Sequence, residues 1–184
     1  MGPMAISKSK RVASRPYRRS IWRHDERYDI DHFALSASEV AAICRLSSVD
    51  AAKKQVPPVP PKGLLAIAKA ARALPAVGRV SANQIVKFLE DTVSIHGAGI
   101  PTVVCMLAVE SEGTYPPMDR RVVAGLRKLG RISQTDADKL ESGELADFAD
   151  VYVRKVIPAW IKERKSQSAE AVDHGWGLAG MRGD

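Results

Sequence analysis

Two short stretches carry residue types that could do chemistry together. One is His96-Gly97-Ala98-Gly99-Ile100-Pro101. The other is Tyr115-Pro116-Pro117-Met118-Asp119-Arg120-Arg121, which puts Asp119 twenty residues past Gly99. An aspartate at a helix start caps the free N–H groups there. It can also hold a carboxylate where positive charge is to be stabilised or a water oriented. The two roles are compatible. Glycines let a hairpin backbone approach another backbone closely, and N–H groups at the start of the following helix form a phosphate site. The plainer reading of Gly97 to Gly99 is a tight turn between helices. Arg120 and Arg121 either neutralise nearby phosphates or are simply solvated.

The elements that would position these residues are helical. Ser81 to Ser94 has Ile85, Val86, Phe88, Leu89 and Val93 at mostly helical spacing. Ile100 to Glu110 reads as a second helix, almost wholly apolar. Arg120 to Leu129 is amphipathic and closed by Gly130. Lys62 to Leu74 is rich in Ala and Leu and is ended by Pro75 and Gly78. Ser133 and Thr135 open a short helix that stops near Gly143. Glu144 to Lys165 is the longest helix, kinked or broken at Pro158. Ala169 to Met181 is expected as a last helix, and Ser36-Ala37-Ser38-Glu39 spells a capping box before Val40 to Leu46. No run alternates as a strand would, and no Asn-Gly or Asp-Gly hairpin signal occurs. The expected fold is all-α, with about seven to nine helices.

Helix, glycine hairpin, helix and a proline-marked turn delivering one aspartate resemble the helix-hairpin-helix DNA glycosylase superfamily, most of all its 8-oxoguanine branch. The residues that carry the resemblance are Gly97, Gly99 and Asp119, with Val122, Val123 and Leu126 continuing the helix behind the aspartate. The likeness runs closely from Ile85 to Leu129. It implies that Asp119 is catalytic and that Gly97, Ala98, Gly99 and Ile100, with Arg120 and Arg121, hold the DNA backbone. It also implies a monovalent cation at the hairpin carbonyls, and a base pocket lined from the C-terminal helix by Asp173, His174 and Trp176. One departure matters. Bifunctional members carry a lysine two residues after the second hairpin glycine, and that position here is Pro101. The resemblance therefore implies a monofunctional enzyme that hydrolyses the N-glycosidic bond of a damaged or modified base. Lys87 and Lys128 could supply an amine instead, though both read as surface lysines. Two alternatives stay open: a non-catalytic helix-hairpin-helix DNA-binding protein, or a same-fold enzyme acting on a modified nucleoside or nucleotide.

Charge placement suits a nucleic-acid partner. The 184-residue chain has a formal charge of +7, and residues 1 to 23 hold seven basic side chains and no acidic one. Such an arm adds phosphate affinity without sequence choice, or is a solubilising tail. The chain divides into a basic, partly disordered arm over 1–31 and one helical domain over 32–184, with the helix-hairpin-helix unit at 81–129. Double-stranded DNA is the expected partner of a monomer. Cys44 and Cys105 are the only cysteines. Two thiols suit a reducing cytoplasm better than a disulfide framework, and cannot build the four-cysteine iron–sulfur loop of some relatives. The four histidines have no metal spacing, so neither a cofactor nor a catalytic zinc is expected. No stretch has the length of a membrane helix, and the start of the chain has no apolar core of a secretory signal. Trp22 and Trp160 read as core anchors. His96 reads as a residue at a helix C-terminus interacting with its dipole.

Overall fold

The computed structural model describes residues 61–95 and 98–181. The basic arm, Trp22, the capping box at Ser36, Cys44, His96 and Gly97 lie outside the described residues. Every regular element among the described residues is helical: α1 Pro61–Arg72, α2 Ala82–Val93, α3 Ile100–Glu110, α4 Arg120–Lys128, α5 Gln134–Glu141, α6 Leu145–Val151, α7 Ile157–Glu163 and α8 Ala169–Met181. A 3₁₀ turn, Val77–Arg79, follows α1, and a π turn, Tyr152–Val156, joins α6 to α7.

Local chemistry sets most boundaries. Ser81 opens α2 through a reciprocal capping box with Gln84, and Ser133 opens α5 the same way with Asp136. The Ser133 N–H and hydroxyl bond the Asp136 carboxyl, holding it below the usual carboxylate range. Gly130 ends α4 at φ 65°. The Arg131 N–H then reaches back to the Leu126 carbonyl at 2.8 Å, the closure of a Schellman turn. Pro158 works less abruptly than a break. It lacks an N–H, and its ring would crowd the carbonyl four residues earlier. The helix widens just before it, so that the Ile157 N–H bonds to the Tyr152 carbonyl five residues back.

Core position follows from sequence pattern. Six consecutive residues of α3, Val103 to Ala108, are buried. That is the environment of a helix apolar on all sides, and α1 and α2 pack against it. On α2 the buried set is Ile85, Phe88, Leu89 and Thr92, and this helix also packs on α6. Thr92 satisfies its buried hydroxyl by donating to the Phe88 carbonyl at 2.5 Å.

The contact of α4 with α8 is of another kind. A Cβ built on Gly125 would stand 1.9 Å from the Trp176 carbonyl oxygen, and one built on Gly180 would stand 2.0 Å from the Arg121 carbonyl oxygen. The two helices therefore meet backbone to backbone, which only glycine allows. Trp176 caps this crossing from inside. It is buried, packs edge-on against Trp160 with ring centroids 5.2 Å apart, and donates its indole N–H to Glu163 at 3.0 Å.

Candidate functional site

The carboxylate at the start of α4 is held by its own helix. Asp119 has extended backbone, and its Oδ1 accepts from the N–H groups of Arg121 at 2.9 Å and Val122 at 3.0 Å. It is the N-cap, as its residue type predicts. Its side chain is half-buried and therefore reachable.

The loop that delivers it, residues 111–119, is pinned by four side chains from elsewhere, Cys105, Tyr152, Trp160 and Arg164, and by its own Tyr115. The chain leaves α3 through two residues with positive φ, Glu112 at 54° and Gly113 at 70°. Tyr115 donates its hydroxyl to the Pro75 carbonyl at 2.6 Å, and Tyr152 donates to the Pro116 carbonyl at 2.7 Å. Trp160 shares its indole N–H between the Gly113 and Thr114 carbonyls, each at 3.1 Å, and Arg164 reaches the Gly113 carbonyl at 2.6 Å. The Cys105 thiol lies 3.7 Å from the Met118 carbonyl. The carbonyls of Gly113, Thr114, Pro116 and Met118 are thus given side-chain donors. Burial pushes the Tyr115 hydroxyl up to about 12. Burial, reinforced by Tyr115 and Cys105, pushes Tyr152 well above the ordinary tyrosine value. Both phenols stay protonated donors at any physiological pH.

Asp119 borders a cavity of about 270 Å³, a little below the usual range for small-molecule pockets. Ile100 and Pro101 enter it from the start of α3, and Met118, Asp119, Arg120 and Val123 from the start of α4. Leu140, Glu141 and Gly143 enter from the end of α5, and Phe148 from α6. Its wall is mainly apolar, with one aromatic ring, two carboxylates and one guanidinium. The start of α3 and the aspartate therefore meet at one hollow, although twenty residues separate Gly99 from Asp119.

The other candidates are distributed differently. Ala98 is buried and Gly99 exposed, both in the turn before α3. The Ala98 N–H bonds to the Ile95 carbonyl at 2.9 Å, while the Gly99 carbonyl accepts from Val103 at 3.0 Å. A Cβ on Gly99 would meet nothing nearer than the Pro101 ring at 3.8 Å. Arg120 is exposed at the cavity, whereas Arg121 turns toward α8 and lies 3.7 Å from the Met181 sulfur. Asp173, His174 and Trp176 sit on α8, and none of them borders this cavity. Asp173 is buried, and the buried Nδ1 of His174 meets no hydrogen-bond partner among the described residues. Lys87 pairs with Asp91 on the exposed side of α2 at 3.4 Å. Neither Lys87 nor Lys128 borders the cavity.

Glu141 and Phe148 were not legible as site residues. Phe148 looks like any core aromatic, and it does stack on Tyr152 at 5.4 Å. Glu141 left one faint trace. A glutamate as the last residue of a helix is opposed by the helix dipole. Glu110 and Glu163 also end helices, but Arg72 pairs with the first at 2.8 Å and Arg131 with the second at 2.7 Å. Glu141 makes no hydrogen bond or ion pair among the described residues.

No group of three or more His, Cys, Asp or Glu side chains that could hold a metal occurs among the described residues. No helix among them is long and apolar enough to cross a membrane. No family model, curated protein or solved structure matches the chain.

Proposed function

We propose that this protein is a monofunctional DNA glycosylase of the helix-hairpin-helix kind, hydrolysing the bond between a damaged or modified base and its sugar. The observation that carries the reading is the convergence of the hairpin end, Ile100 and Pro101, with Asp119 on one mainly apolar cavity. A base removed from duplex DNA must leave the stack and enter a pocket. As its bond to C1′ breaks, positive charge develops on the sugar, and the electron pair leaves with the base. The Asp119 carboxylate stabilises that charge and takes a proton from the water whose oxygen bonds to C1′. A proton taken up by the departing base completes the balance. The backbone N–H groups at the start of α3 and the Arg120 side chain hold flanking phosphates. Pro101 offers no amine, so no Schiff base forms at that position.

The test is single-turnover base release from duplexes carrying 8-oxoguanine, uracil, hypoxanthine or alkylated bases, with wild type beside Asp119→Asn and borohydride trapping in parallel. Asparagine still caps the helix, so the fold and the DNA affinity are retained. Release falls at least about 100-fold in the variant, within the span that a positioned acid–base group supplies, and no adduct is trapped. Pro101 also favours a second reading, a DNA-binding protein without chemistry. Binding of every duplex with release from none would establish that reading instead.

A further inference from the structure

The cavity has two electrically different sides. The starts of α3 and α4 meet at one side, where the N–H end of α3 leaves partial positive charge and the Arg120 guanidinium stands beside the Asp119 carboxylate that caps α4. The end of α5 stands at the other side, where the carbonyl end of the helix leaves partial negative charge and Glu141 adds a carboxylate. Glu141 is placed against its own helix dipole and makes no hydrogen bond or ion pair among the described residues, unlike the helix-ending Glu110 and Glu163. A carboxylate accepts hydrogen bonds and donates none. Phe148 supplies a ring face in the same hollow. The volume of about 270 Å³ has room for a planar ring and leaves a sugar and phosphate at the mouth.

We infer that Glu141 selects the ligand, accepting hydrogen bonds from a base whose edge carries an amino group, while the phosphate lies toward the start of α3 and the Arg120 guanidinium. The inference rests on reading this cavity as a base pocket, and it names the edge that the pocket takes. A buried site that hydrogen-bonds an N–H group rejects an analogue lacking it by several powers of ten. Glu141 is exposed, so its discrimination is smaller, about tenfold.

The test measures binding of 2′-deoxyadenosine 5′-monophosphate and of the matching purine nucleotide without the amino group, by titration followed through amide chemical shifts. Wild type binds the amino-bearing nucleotide about tenfold more tightly. Glu141→Ala binds the two equally, and Glu141→Gln, whose amide oxygen still accepts, keeps part of the preference. Equal affinities in wild type, an unchanged preference in Glu141→Ala, or no binding of either nucleotide overturns the inference. The base-release assay separates this outcome from that of the proposed reaction. Preference that depends on Glu141 with no base released from any duplex removes the glycosylase and leaves the ligand selector. Release that depends on Asp119 with no effect of Glu141 does the reverse.

Discussion

Glycine serves opposite purposes at the two ends of the candidate site. Behind it, Gly125 and Gly180 lie where any side chain would collide with the opposite helix backbone, at about 2 Å. In front of it, Gly99 has an ordinary backbone, is exposed, and has only the Pro101 ring at 3.8 Å beside its missing Cβ. The first pair is demanded by packing within the chain. Gly99 is not demanded by any described neighbour, and the open space beside it lets a second molecule approach. A glycine's role is thus read from its surroundings, not from its identity.

The comparison breaks most visibly at the crossing of α4 and α8. Gly125→Ala and Gly180→Ala each force two backbones apart, and overpacking of this kind costs about 3 kcal/mol or more. Thermal unfolding shifts down by roughly 10 °C for a chain of this size. A calorimetric midpoint within two degrees of wild type would mean that the helices separate freely and the crossing is not tight. Next in size is the pinned loop. Tyr152→Phe leaves the buried Pro116 carbonyl without its donor, a loss of about 1 to 3 kcal/mol. The same phenols predict an alkaline limit. Below pH 10 they are protonated in both states, so their contribution is intact. Between pH 10 and about 12 the unfolded chain releases the Tyr115 proton while the folded chain retains it, so stability falls across that window. Tyrosinate absorbance and unfolding midpoints followed together check this. Titration of all tyrosines at the ordinary value in the folded protein would contradict it.

The smallest effect on stability belongs to Gly99. Gly99→Ala costs about 1 kcal/mol, since alanine is a poorer helix N-cap than glycine. On the proposed function, affinity for duplex DNA nevertheless falls several-fold, as measured by fluorescence anisotropy at fixed salt, because the added methyl would crowd the phosphate proposed to lie there. A larger loss of stability without loss of affinity would put Gly99 in the same class as Gly125.

Helix positions were readable where a single residue sets a local hydrogen bond. Ser81, Asp119, Ser133 and Gly130 mark boundaries by chemistry confined to one turn. The burial of α3 was equally readable, because a segment with no polar face has only the interior to occupy. What escaped was tertiary. Nothing near Tyr115 indicates that its partner is the Pro75 carbonyl, forty residues earlier, and nothing near Gly125 announces Gly180. Asp119 and the hairpin were legible as a pair only through resemblance, whereas Glu141 reaches the cavity through the packing of α5 on α4. Trp176 shows the converse. A tryptophan near a chain end suggests a binding role on paper, and nothing near it announces that its backbone carbonyl meets Gly125 of α4 while its ring packs on Trp160 and donates to Glu163.

The π turn ahead of Pro158 has a consequence in angle. An α-helix turns about 100° per residue, so side chains eight positions apart point about 80° away from each other. Tyr152 and Trp160 are eight apart, yet both bond the same loop, at Pro116 and at Gly113 and Thr114. The π turn between them absorbs one residue without advancing the helix, which brings the two directions to within about 20° of each other. The proline that widens the helix thereby rephases it, and the two aromatic anchors point in one direction because of that interruption.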